Sequence, residues 1–302
     1  LSFPSPSATV PTLAAYQFSY NGVTIGPGAG LELQKIEGLD QPDVRTGDAG
    51  RARDTGDFIG LDLLQGRTIT LTGQLASTTG NTLTQNWTAL AGATLPGGTT
   101  EEPLFFNLPQ FGTLVSMCRV RKRSMPIDIP FAFGGLANAV LQFQASDPRL
   151  YATPTQSSTV GLPTPNAGFG FPLSFNFAFG GGGTVGVLSL TNYGNIETRP
   201  LLVITGPCTT PTVTNNSIAG SPYLSFGVTM NTGDQLIIDT DMHTATYFTA
   251  GSSLGSSRMS TLQTGSSWWT MQPGVSSIAF SSQDAVSVAG TLTVEFASAY
   301  VL

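Results

Sequence analysis

Three phrases decide the fold: V-L-S-L-T-N-Y-G-N-I-E-T-R-P-L-L-V-I-T-G-P (Val187–Pro207), G-D-Q-L-I-I-D-T (Gly233–Thr240) and S-S-W-W-T-M-Q-P-G-V-S-S-I-A-F (Ser266–Phe280). Each carries a short apolar or β-branched run closed by Gly, Pro, Asn or Asp, the signature of a strand followed by a turn. Continued through its neighbours, the pattern predicts strands at Val185–Thr191, Pro200–Thr205, Thr212–Thr214, Tyr223–Val228, Gln235–Asp239, Thr244–Thr249, Gly274–Phe280 and Thr291–Ala297. Short strands with turn residues between them imply a β-sandwich or jelly roll. Just upstream, Phe171, Phe175, Phe177 and Phe179 fall at even spacings along one face, before a turn at Gly180–Gly183. No fixed-period repeat is present, so a propeller or solenoid is not expected.

Working outward toward the amino terminus, Leu13–Tyr20 and Gly22–Ile25 flank Asn21-Gly22, a strong hairpin signal. Leu31–Ile36 and Thr68–Leu75 alternate apolar and polar residues as half-buried strands do. Between them, Gly38–Gln65 holds Asp40, Asp43, Arg45, Asp48, Arg51, Arg53, Asp54, Asp57 and Asp62, and its five glycines predict an extended loop. One helix is expected, capped at Asn81 or Thr82, with Leu83, Trp87 and Leu90 on one face and Gly92 then Pro96 as its stop. Strands follow at Pro103–Phe106, Thr113–Arg123 and Ala139–Ala145, and Asp147–Tyr151 ends the regular pattern. The Pro-, Ser-, Thr- and Gly-rich stretch after it marks a boundary between residues 1–151 and 152–302. The expected class is mainly β: an amino-terminal β-sandwich or barrel-like domain with one short helix, then a second β-sandwich.

Composition narrows the function. The 302 residues are 40% hydrophobic, but only 10% charged, against about 25% in average soluble proteins. Ten of the twelve basic residues precede Tyr151, leaving Arg199 and Arg258 beyond it, and the net charge is −6. Such a chain lacks the concentrated basic surface needed to wrap duplex DNA, and an anionic membrane is disfavoured for the same reason. No run is apolar enough to span a membrane, and no secretory signal is read, since the first basic residue is Lys35 and Pro4, Pro6 and Pro11 interrupt the start. Leu1 is not a natural initiator, so a methionine or a removed leader is expected before it. Cys118 and Cys208 are too few for a disulfide framework, and two buried thiols are favoured over a bridge.

The motifs that match catalytic or binding patterns fare poorly. Gly251–Gly255 fits G-x-S-x-G, but the sole histidine, His243, precedes the serine instead of following it. Gly181–Gly186 fits G-x-G-x-x-G, yet a β-branched run follows where a dinucleotide site needs a helix. Asp239, Asp241 and His243 would share one face of a continuous strand and hold a divalent cation; a hairpin turn at Thr240-Asp241-Met242 is favoured and would break that face. Arg119, Arg121 and Arg123 form a basic stripe, expected to pair with carboxylates of the charged loop within or between subunits. Trp268-Trp269 suggests a sugar platform, but neighbours on a strand face opposite ways, so one core tryptophan and one at the rim are expected. Glu101-Glu102 are adjacent, with no sign of the facing pair that glycoside hydrolysis needs. No catalytic residue, metal site or cofactor is expected.

The phrases in their order resemble the distal tail proteins of long-tailed, siphovirus-type bacteriophages. Ile36–Arg45, Asp54–Gly60, Gln65–Leu75 and the Asp147–Tyr151 junction are similar to that family's first half, and the three opening phrases to its second. The chain departs from it at Phe58-Ile59-Gly60, where many relatives carry His-Gly. The resemblance implies a structural baseplate protein and not an enzyme. The first domain would form a homo-hexameric ring between the tail tube protein and the tail-tip or tail-associated protein. The second, galectin-like or a related sandwich, would carry receptor-binding proteins for host attachment. It implies a place at the virion tail tip after assembly in the host cytoplasm, with DNA only passing through the ring and no membrane insertion. Arg45, Asp48, Arg51, Arg53, Asp54 and Asp57 are then candidates for the subunit interface. Trp268 and Trp269 remain candidates for glycan contact if the chain is instead a carbohydrate-binding module.

Overall fold

Asn21 and Gly22 both adopt positive φ, 46° and 78°, the geometry a two-residue hairpin turn requires. They join β1 (Phe18–Tyr20) to β2 (Val23–Ile25), with Phe18 opposite Ile25 and Tyr20 opposite Val23. The strand expected from Leu13 starts only at Phe18, because Tyr16 turns to φ 59° and interrupts it. The computed structural model describes residues 9–127, 137–163, 186–284 and 288–302. The chain divides into one unit of Leu1–Pro154 with Tyr300–Leu302, and a second of Thr155–Ala299. The phenylalanines at 171–179, the glycine turn at 180–183 and the first five residues of the G-x-G-x-x-G match lie outside the described residues.

In the first unit β3 (Leu31–Glu37) precedes the charged segment, which contains four short strands: β4 (Val44–Arg45), β5 (Ala49–Gly50), β6 (Asp57–Phe58) and β7 (Leu63–Leu64). Then come β8 (Arg67–Leu75), α1 (Leu83–Ala93), β9 (Glu102–Leu108), β10 (Gly112–Ser124), β11 (Ala137–Ala145) and β12 (Leu150–Ala152). The main sheet runs β2-β1-β9-β10-β11-β8-β3, with β12 added to β10. The thirteen-residue β10 makes this possible: its first half pairs β9 and its second half pairs β11. β8 alternates as its sequence predicts, burying Ile69, Leu71 and Leu75 in a core shared with Phe18, Phe106 and Phe143. Phe18 stacks on Phe106 at 5.3 Å, and Tyr20 meets Phe143 edge-on at 5.0 Å. Burial pushes the Tyr20 phenol up to about 12.

The helix is capped by Thr82, whose hydroxyl accepts from Gln85 N–H while the Gln85 side chain accepts from Thr82 N–H, a complete capping box. Gly92 lies within the helix and Thr94 closes it. The regular pattern also outlasts Asp147: β12 pairs Val115 with Tyr151, and β13 (Gln156–Gly161) forms in the stretch expected to be irregular. Proline and serine flank these strands, but cross-strand pairing overrides local propensity.

The second unit continues with β14 (Val187–Asn192), β15 (Leu201–Thr205), β16 (Cys208–Thr209), β17 (Thr212–Asn215), β18 (Tyr223–Ser225), β19 (Thr229–Met230), β20 (Gln235–Asp239), β21 (Thr244–Phe248), β22 (Gly255–Ser257), β23 (Gly274–Ser281) and β24 (Thr291–Phe296). One sheet runs β13-β24-β15-β20-β21-β22 and another β14-β23-β17-β18. Leu202, Ile238 and Val294 from the first and Val213, Ile278 and Phe280 from the second belong to one buried cluster, so the unit is a β-sandwich. Both cysteines are free and buried, Cys118 in the first core and Cys208 in the second. Burial raises both thiols above their ordinary value, Cys208 to about 11. Among the described residues no helix is long and apolar enough to cross a membrane.

Candidate functional site

The phrases that suggested the family are, in the structure, clamps on backbone. Asn192 is buried; its side chain accepts from Gly194 and Ala299 N–H at 3.0 and 3.3 Å and donates to Ile196 and Met271 carbonyls at 2.8 and 3.3 Å. Gly194 has room for no side chain, since a Cβ there would lie 1.7 Å from the Ala299 carbonyl oxygen. Thr198 and Met271 exchange backbone bonds, tying the first phrase to the third. In the second phrase buried Asp234 accepts from Tyr247 Oη at 2.5 Å, Ala250 N–H at 2.9 Å and Asn231 N–H at 2.7 Å. These bonds, Tyr247's foremost, hold its carboxyl below the usual range. Burial, then the bond to Asp234, lifts the Tyr247 phenol to about 12. At the junction Asp147 accepts from Arg149 N–H and from Tyr151 Oη, at 3.0 and 2.5 Å.

The charged segment is not an open loop but a hairpin arm. Gln65 N–H bonds Asp43 at its root, β4 pairs β7, β5 pairs β6, and Arg51 N–H reaches Gly56 near its tip. Gly47 and Gly60 face each other so closely that a Cβ on Gly60 would sit 2.1 Å from the Gly47 carbonyl. Beside them Asp48 accepts from Gly60 N–H at 2.8 Å. Glycine is thus what lets the two sides close. The root is pinned by Arg67, 1% exposed, which donates to the carbonyls of Gly38, Asp40 and Pro148 at 2.8, 2.6 and 3.0 Å. Burial lowers its pKa, and Asp40 and Asp147 offset part of that.

All six interface candidates lie on this arm and are exposed: Arg45 on β4, Asp48, Arg51, Arg53 and Asp54 toward the tip, and Asp57 on β6. Arg51 stands 3.7 Å from Asp54 and lies over the Phe58 ring at 5.1 Å. What the charge count hides is an apolar row on the same arm: Phe58 is 62% exposed, Ile59 96% and Leu61 73%. A contiguous exposed apolar row of this kind marks a surface for interaction with another molecule. The signal was present in the sequence as apolar residues crowded into a glycine-rich charged stretch.

The basic stripe does not form one face. A register shift between Val120 and Lys122 bends β10 there, and Arg123 donates to the Ala91 carbonyl at the end of α1. Glu101 accepts from Ser146 N–H and Oγ at 2.9 and 2.8 Å, a structural task.

In the second unit Trp269 is buried and Trp268 partly so. His243, at φ 52°, stacks on Trp268 with ring centres 4.6 Å apart. Asp239 accepts from Asp241 and Met242 N–H, both 2.9 Å, closing the β20–β21 turn, while Asp241 bonds Arg199. The three candidate metal ligands are thereby given to three different partners, and no metal-binding cluster occurs among the described residues. The Gly251–Gly255 match lies in an exposed loop leading into β22.

Comparison with known proteins agrees with this architecture. Residues 193–300 match the family described as siphovirus-type tail component, C-terminal domain. The matched span holds Asp234 and its partners, and every partner of Asn192, which lies one residue before it. Among solved structures, that of SPP1 Dit, described as a paradigm of the hub adsorption apparatus in phages infecting Gram-positive bacteria, superposes with a TM-score of 0.62 at 15% identity. The match covers 93% of this chain and 98% of that one. The phage P2 baseplate, in its activated conformation with calcium, gives a TM-score of 0.51 at 9% identity over the same shares. No curated protein matches by sequence. The matched segment and the fold both point to one class of similar proteins, the tail components of siphovirus-type phages. Within it the chain has the fold of the Dit hub protein.

Proposed function

We propose that the chain is the hub of a phage tail tip, assembling into a hexameric ring through its first unit. The observation that carries this reading is the arm: a hairpin pinned at its root by Arg67 that holds Phe58, Ile59 and Leu61 out in solvent. A ring needs heterologous contacts, in which one surface meets a different, complementary surface on the next copy. A rigid arm with an apolar row flanked by Arg45, Asp48, Arg51, Arg53, Asp54 and Asp57 suits that geometry. The apolar row supplies burial and the charges supply register. The ring joins the tail tube protein to the tail-tip protein, and the second unit anchors receptor-binding proteins. A net charge of −6 suits a passage through which DNA slides without adhering. The site of action is the virion tail tip, reached after assembly in the host cytoplasm.

Light scattering on the purified chain tests the arm. The double variant Phe58→Ser with Ile59→Ser is expected to shift the species to monomer while far-UV circular dichroism stays unchanged. Arg51→Glu with Arg53→Glu should weaken assembly less. An unaltered oligomer in the apolar variant removes the arm from the interface.

A further inference from the structure

The geometry points to a saccharide-binding site in the second unit, in a recess of about 480 Å³ bounded by Arg199, Pro222, Thr240, His243, Ser267 and Trp268. That volume falls within the range of small-molecule sites. A sugar ring offers apolar C–H faces and a rim of hydroxyls that both donate and accept, so it is recognised by an aromatic wall beside planar charged groups. Both are here. The stacked His243–Trp268 pair forms the wall, and the exposed imidazole extends it into the recess. Arg199 is held by Asp241, which fixes the guanidinium and sets an opposite charge beside it. A lone cation already paired with an acid is a poor receptor for phosphate or a nucleic-acid backbone but a good one for a neutral polyol.

Two further features mark the place. Of the five non-glycine residues at positive φ among the described residues, His243 lines the recess and Ser221 precedes Pro222 in its wall. Such backbone is held only where the surroundings over-determine it, and it gathers at ligand sites. Trp269 also borders the recess, and its buried indole N–H has no hydrogen-bond partner. Its ring is in the core, so of the two tryptophans Trp268, with His243, provides the contact surface.

The test uses the full chain and the methyl glycosides of glucose, galactose, N-acetylglucosamine and rhamnose, followed by saturation-transfer NMR and tryptophan fluorescence. At least one glycoside is expected to bind with Kd on the order of 1 mM. His243→Gly, which suits the positive φ, and Arg199→Met should each weaken it roughly tenfold, with Tm and oligomeric state unchanged in His243→Gly. Silence from all four glycosides, or binding that survives both substitutions, overturns the site. Neither result bears on the hexamer, which is read from particle mass.

Discussion

Asp234, which accepts from two backbone N–H groups, and Gly38, which fits beneath the Thr68 carbonyl, each make a separate prediction. Asp234 binds its proton less readily when folded, so it stabilises the fold above its ordinary titration range and loses that contribution as pH falls through the lower folded value. Asp234→Asn should therefore flatten the acid limb of a Tm-against-pH curve while lowering Tm at neutral pH; an acid limb as steep as in the parent would contradict the assignment. Gly38 sits at φ 83°, and a Cβ there would lie 1.8 Å from the Thr68 carbonyl oxygen. Gly38→Ala is expected to cost at least ~2 kcal/mol by strain and clash together, measured by urea unfolding. Asn192 and Asp234 could be singled out in the sequence as members of phrases, but not as clamps: which backbone groups they meet, Met271 and Ala299 for Asn192, Asn231 and Ala250 for Asp234, is decided by the fold.

At the scale of elements, β8 and the arm it follows make the sharpest contrast. Arg67 opens β8 on the same face as Ile69 and Leu71, a position a period-2 pattern reserves for an apolar residue. Its fork bonds three carbonyls, so removal leaves buried acceptors unpaired. Arg67→Met should destabilise the first unit by about 3 kcal/mol and raise amide exchange across residues 39–65, while Arg67→Lys restores little because an ammonium cannot match the fork. Unchanged exchange in the arm would show that its root is held by something else. Strands such as β8, β20 and β23 were legible because one face is buried and the other wet. The hairpin at Asn21-Gly22 and the cap at Thr82 were legible because local chemistry fixes them. The arm was not: its apolar residues face water, so alternation carries no information about its pairing, and five glycines read as looseness where Gly47 and Gly60 in fact permit close contact. β12 and β13 were hidden by flanking proline and serine.

For the molecule as a whole, the separate cores follow from two sets of apolar residues, one running to Ala152 and rejoined by Tyr300 and Leu302, the other lying between Val160 and Phe296. The resemblance was legible through the order of the phrases, whose buried Asn192 and Asp234 hold the backbone of the sandwich. The proposed interface was legible only as a charged stretch; the fold was needed to show that Phe58, Ile59 and Leu61 are left in solvent beside it. All of this converges on self-association. The most direct measurement is the mass and symmetry of the purified particle, by light scattering and electron microscopy of the full chain. The account predicts a six-fold ring with a central opening that the Phe58→Ser, Ile59→Ser variant fails to form. A strictly monomeric species at high protein concentration would contradict it.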